Sequence, residues 1–212
     1  MQLSLNVSIP NSDDVYRLNQ AGMYLNVYKY NDQTNTLGKV AWVVSALSNT
    51  INIVWQADNY RLFASDTFAE NGATIVENDS VLASPGSRWT YKYNTFQATT
   101  AGNDDLIGVN YQGFPTPDGQ PKSFGLAQAY TINNKDTSAP FIVTQAFIPQ
   151  QILFQPSDQI LVTIGSVTQQ GQFVAQVSSP GTTLEYLGST GNTQYDLEFS
   201  PSQTGFRIVG SK

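Results

Sequence analysis

The sequence predicts an all-β protein, an antiparallel β-sandwich or partly closed barrel of jelly-roll type with little or no helix. Three observations carry that prediction. Apolar residues recur at every second position in short runs, as in 1–10, where Leu3, Leu5 and Val7 alternate with polar neighbours. The runs are separated by turn-forming clusters such as Asn71-Gly72, Ser84-Pro85-Gly86 and Asp118-Gly119. No stretch of a dozen residues holds a 3.6-residue period, and no repeat of fixed spacing is visible, which argues against propellers and trefoils.

In chain order, 1–10 is the first strand, with no basic segment or continuous apolar stretch of the kind a secretory leader carries. In 11–21, Ser12 with Asp13 and Asp14 is expected to cap one short helical turn carrying Val15 and Leu18. Strand 22–30 puts Met23, Leu25 and Val27 on one face, and 31–38 is a polar loop. The centre of the domain is expected in 38–66. There 39–47, 50–57 and 60–65 form three strands of a meander, turned at Ser48-Asn49 and at Asp58-Asn59. Next come a short strand at 73–76, an aromatic strand at 88–93, and a pair formed by 96–100 and 106–111. Segment 112–122, with Pro115, Pro117 and Pro121, is where a single domain of 1–212 would divide if it divides at all. Seven further strands are expected at 123–130, 141–147, 159–167, 171–178, 183–187, 194–199 and 205–209.

Composition removes several mechanisms. The 212 residues include no cysteine and no histidine. Disulfides, thiolate metal sites, cysteine nucleophiles, Ser-His-Asp triads and histidine-liganded zinc are therefore excluded. Charged residues make up 12% of the chain, with a net charge of −6. Such a surface is polar yet mostly uncharged and suits neither nucleic-acid phosphate nor anionic lipid. A neutral glycan or glycoprotein is the expected partner, with no nucleic acid, no transmembrane segment and no cofactor; the sequence leaves the compartment open, an extracellular one being slightly favoured. The sequons Asn6-Val7-Ser8 and Asn78-Asp79-Ser80 are no more than chance supplies in a chain so rich in Asn and Ser.

The candidate ligand site is the turn formed by Trp55, Gln56, Asp58, Asn59 and Tyr60. A sugar site needs a flat aromatic face for the apolar side of a pyranose, with carboxylate and amide groups for its hydroxyls. This turn offers both within six residues. Gln56 and Asp58 also resemble the Gln-x-Asp-x-Asn-x-Val-x-Tyr signature of monocot-type mannose-binding lectins. Asn59 comes one position early and no second copy follows, so nothing is carried over from that family. The competing interpretation is a core Trp55 beside an ordinary turn.

Trp89, Tyr91 and Tyr93 form a second aromatic set, either a platform for a partner or one inner face of a sandwich. The acidic clusters Asp13-Asp14, Asp104-Asp105 and Glu77 with Asp79 do not indicate a glycosidase, because sequence neighbours on a strand point to opposite faces and adjacency is no evidence for a facing pair. Asn103-Asp104-Asp105 lacks the calcium-loop spacing, so no metal site is expected. The uncharged stretch 159–179 could turn a Ser/Thr-rich hairpin of the kind a β-pore needs. The expectation is a non-enzymatic, lectin-like carbohydrate-binding protein. The alternative is a self-associating homo-oligomer, either a β-pore former or a coat or structural subunit.

Overall fold

Alternating burial organises the chain from its first strand. In β1 (Gln2–Ser8) Leu3, Leu5 and Val7 are buried while Ser4, Asn6 and Ser8 face outward. Burying each of those apolar side chains contributes about 1.5–3 kcal/mol. The computed structural model describes residues 1–31, 39–102, 104–112, 121–177, 179–186 and 191–212.

Sixteen strands and one α-helix occur among these residues. The strands after β1 are β2 (Tyr24–Asn31), β3 (Lys39–Ala46), β4 (Thr50–Ser65), β5 (Asp79–Ala83), β6 (Arg88–Lys92), β7 (Thr95–Ala98) and β8 (Ile107–Tyr111). They continue as β9 (Lys122–Ile132), β10 (Lys135–Ala146), β11 (Gln150–Phe154), β12 (Pro156–Gly165), β13 (Phe173–Val174), β14 (Gly181–Glu185), β15 (Gln194–Ser200) and β16 (Gly205–Ser211). The largest sheet runs β10-β9-β4-β1-β15-β16, with β5 also on β4. Opposite lies the sheet β13-β3-β2-β12-β14, and β11-β8-β6-β7 forms a smaller third sheet. Strand β10 lies against β3, and β16 against β14, so the two larger sheets approach each other at both margins. The protein is an all-β, sandwich-like fold, as its alternation predicts.

Between the sheets lies one continuous apolar cluster, extending in sequence from Leu3 to Phe206. At its centre Trp42, Trp55, Tyr130 and Tyr186 meet edge to face, with centroids 5.0–5.3 Å apart. Helix α1 (Ser12–Gln20) is longer than the single turn expected. Its cap is Asn11 rather than Ser12: the Asn11 side chain accepts from the Asp13 amide at 2.9 Å. Val15 and Leu18 pack on the core, and the helix ends before Gly22 at φ 68°. None of the described helices is long and apolar enough to cross a membrane.

Several predicted pairings are replaced by others. The expected meander is absent, because β3 and β4 belong to different sheets and Ser48-Asn49 is the corner between them. Asn49 binds the Ile9 backbone at that corner through its own carbonyl and its side-chain amide. Residues 96–100 and 106–111 do not pair with each other: β7 pairs with β6, and β8 runs parallel to β6. The β6–β7 turn uses Tyr93 and Asn94 at φ 54° and 55°, a left-handed pair that matches strand twist. Tyr93 therefore sits in a turn, not on the strand face it was expected to share with Trp89 and Tyr91. Strands β1 and β15 are also parallel, so the sheets are mixed.

The expected hairpin at 159–179 does not form either. Strand β12 is flanked by β2 and β14, while β13 pairs with β3. Segment 73–76 contributes one isolated bridge, Thr74 to Gln172, and no strand. Much of the polar loop at 31–38 and the centre of 112–122 lie outside the described residues.

Candidate functional site

Asp58-Asn59 does not turn the chain between two strands. Strand β4 runs unbroken from Thr50 to Ser65, and the pair sits in a wide bulge within it. Trp55 stands opposite Tyr130 of β9, and the next paired residue, Tyr60, stands opposite Gln128. Residues 56–59 therefore face Ala129 alone. Within the bulge Asp58 adopts φ 60°, a left-handed conformation that Asp tolerates better than most residues. On the other side pairing with β1 continues into the bulge, with Gln2 opposite Gln56 and the Ala57 amide donating to the Met1 carbonyl at 2.8 Å. Partners on both flanks make this segment a bulge, although its Asp-Asn pair reads as a hairpin turn.

The bulge forms part of a cleft of about 340 Å³. Gln2, Gln56, Asn59, Thr131, Asp136 and Thr137 supply amides, hydroxyls and one carboxylate to it. The Thr131 hydroxyl donates to Asp136 at 2.6 Å, which fixes that carboxylate. Of the five sequence-predicted residues, the structure brings Trp55, Gln56 and Asn59 to this cleft. Asp58 is exposed on the same bulge but does not line it, and Tyr60 is buried beneath.

Neither predicted ring offers a free face. Trp55 and Tyr60 are each 2% exposed; Trp55 packs on Trp42 and Tyr186, and Tyr60 on Phe141. The expected aromatic platform is thus core, while the amides beside it reach the surface. A second concavity, about 450 Å³, lies between α1 and the ends of β12 and β15, with Leu18, Met23, Ile164 and Phe199 giving it an apolar lining. The other aromatic set is divided: Tyr91 is buried and donates to Asp79 at 2.8 Å, and Trp89 packs on the core.

Directly behind the bulge is a feature that the turn motif does not announce. Lys29 of β2 is 3% exposed, and its Nζ donates to Gln128 Oε1 at 2.6 Å. The rings of Trp42, Trp55, Tyr60 and Phe141 surround the ammonium at 5.0–5.9 Å. Such contacts between a cation and ring faces contribute about 0.5–2 kcal/mol each, more as water is excluded. Gln128, fully buried, sends its Nε2 to the Gln56 carbonyl at 2.7 Å, and its own carbonyl accepts from Trp42 Nε1 at 3.1 Å. One side chain thus links the buried cation to the first residue of the bulge.

Electrostatics follow from this burial. Loss of water pushes the Lys29 amine from 10.5 down to about 8, against the opposing attraction of Asp158 and Asp58. Burial likewise pushes the Asp158 carboxyl above the usual range, partly offset by Lys29. None of the ion pairs among the described residues includes Lys29; its hydrogen-bond partner is a neutral amide. The signal for Lys29 and Gln128 lies in the alternation itself. Lys29 continues the inward row of Leu25 and Val27, and Gln128 continues that of Phe124 and Leu126.

No family model matches this chain, and neither a curated protein nor a solved structure matches it.

Proposed function

We propose that the protein is a non-enzymatic, lectin-like binding protein and that the cleft beside the β4 bulge takes a neutral glycan. The observation that carries this proposal is the chemistry of the cleft wall, where Gln2, Gln56, Asn59, Thr131 and Thr137 present donors and acceptors without net charge. Side-chain amides and hydroxyls match the mixed donor and acceptor character of sugar hydroxyls. Asp136, fixed by Thr131, adds one strong acceptor. It is the one carboxylate among the described lining residues, whereas hydrolysis of a glycosidic bond ordinarily calls for two. Recognition on this account rests on hydrogen bonds, because the rings beneath are occupied by core packing.

A glycan array tests the proposal, with the wild-type chain compared with a Gln56→Ala/Asn59→Ala variant. Neutral glycans should bind the wild type, and the variant should lose the signal at an unchanged melting temperature. Silence across a broad array, or equal binding by the variant, overturns it.

Self-association is the second reading, and one observation favours it. Strand β16 ends the largest sheet, and its Ile208 and Val209 are half exposed. Edge strands of that kind can pair with another chain. Size-exclusion chromatography with light scattering decides it, since a strict monomer removes this reading.

A further inference from the structure

We infer that Gln128 and Lys29 are positioning residues of the cleft, acting together as a buried latch that holds the β4 bulge in the shape it presents to a ligand. The latch follows from the donor and acceptor inventory of two side chains. An ammonium can only donate, so the Gln128 oxygen must face Lys29. The Gln128 nitrogen is then turned toward the Gln56 carbonyl, which can only accept. A flipped amide would set donor against donor on one side and acceptor against acceptor on the other. The cation therefore fixes the orientation of the amide, and the amide fixes the start of the bulge.

Position reinforces this role. Gln128 is the residue where pairing with β9 resumes opposite Tyr60, so its side chain reaches back across the residues that have lost their ladder partners. Gln56 and Asn59, the cleft residues of that stretch, are exposed; β1 holds Gln56 on one side through its register with Gln2, and on the β9 side its backbone carbonyl is held by Gln128. The cation is itself confined by four rings, two of which, Trp55 and Tyr60, flank the bulge in sequence. The consequence for ligand binding rests on the glycan proposal above; the latch itself does not.

Gln128→Glu separates the latch from general stability. The new carboxylate still accepts from Lys29, now as an ion pair, but has no hydrogen to give to the Gln56 carbonyl. Native-state hydrogen exchange should therefore quicken about five- to tenfold in residues 56–60, the equivalent of one lost hydrogen bond. Peptides from β8 and β11 should keep their wild-type rates. Lys29→Met, which keeps an unbranched side chain one atom shorter and removes the charge, should give a smaller quickening at the same residues and serves if the glutamate variant does not fold.

Unchanged exchange at 56–60 in the variants, or an equal rise in β8 and β11, overturns the latch. The same samples are then titrated with mannose, galactose, glucose and N-acetylglucosamine and followed by amide NMR. Local quickening together with no sugar response in the wild type leaves the latch standing and removes the glycan reading. Sugar binding that is as tight in Gln128→Glu as in the wild type removes the link between them.

Discussion

Lys29 and Arg88 each place a cation behind an irregular stretch of backbone, one in the core and one near the surface. Arg88 spans the approach to β8: it donates to the Ser87 and Leu106 carbonyls and pairs with Asp104. Gly102 and Gly108 leave it room, since a Cβ at either position would come within 2.7 Å of the side chain. Its charge is answered by a carboxylate that is 51% exposed. Lys29 has an amide instead, inside a box of rings. The difference shows what burial demands. Near water a full ion pair carries little cost and contributes little. In the core a carboxylate would bring its own desolvation, whereas a neutral amide satisfies the ammonium and can pass the constraint on to Gln56.

The sharpest way to break the comparison is Gln128→Leu. It leaves a buried ammonium without an acceptor and the Gln56 carbonyl without a donor, so a loss of about 3–5 kcal/mol is expected in urea denaturation. An effect no larger than that of a surface substitution would mean that Lys29 finds another partner.

Next in size is the pH dependence. In the unfolded chain Lys29 is protonated up to about its ordinary 10.5, and in the folded chain only up to about 8. Below that lower value both states carry the proton and the full cost of the buried charge is felt. Between the two values the unfolded state binds more protons, so stability rises with pH, by on the order of 3 kcal/mol across the window. Burial pushes Tyr28 up to about 12 and raises Tyr60 as well, so folding protects these phenols and stability turns downward above pH 10. Denaturant midpoints between pH 7 and pH 10 should climb in the wild type and climb much less in Lys29→Met, where the smaller rise from Lys39, an amine that burial also lowers, remains. A flat wild-type profile contradicts the buried amine.

Smaller effects are expected at Arg88. Arg88→Ala deprives two carbonyls of their donor and should cost about 1–3 kcal/mol. Asp104→Asn should have the smallest effect of the set, one that disappears in added salt, because that carboxylate faces water.

How far the sequence discloses the molecule depends on the distance over which each signal acts. The all-β class is legible because alternation is local, and Leu3, Leu5 and Val7 report a half-buried strand without help from any other element. Pairing is not legible in the same way. Asp58-Asn59 has the composition of a turn, and what makes it a bulge is β1 on one side and β9 on the other, more than 50 residues away in each case. The same holds for β12 and β13, whose texture suggests a hairpin and whose partners are β2, β14 and β3.

The candidate site was partly legible for a related reason. Gln56 and Asn59 belong to a polar cluster that has to reach water, and they do. Trp55 continues the inward row of Ile51 and Ile53, so its burial was legible as the competing interpretation; Tyr60 lies beyond the bulge, where the alternation changes phase, and it too points inward. Lys29 and Gln128 could have been found by asking why each polar residue extends an otherwise apolar inward row. Their meeting across β2 and β9 is a long-range fact that the rows alone do not contain.

The central claim, that the cleft beside the bulge binds a neutral sugar, is tested most directly by NMR of the side-chain amides. With mannose, galactose, glucose and N-acetylglucosamine added singly at millimolar concentration, the amide signals of Gln2, Gln56 and Asn59 should shift together for at least one sugar. Those of Asn19 and Gln203, remote from the cleft, should remain in place. Shifts clustered around the apolar concavity under α1, or no shift with any sugar, would contradict it.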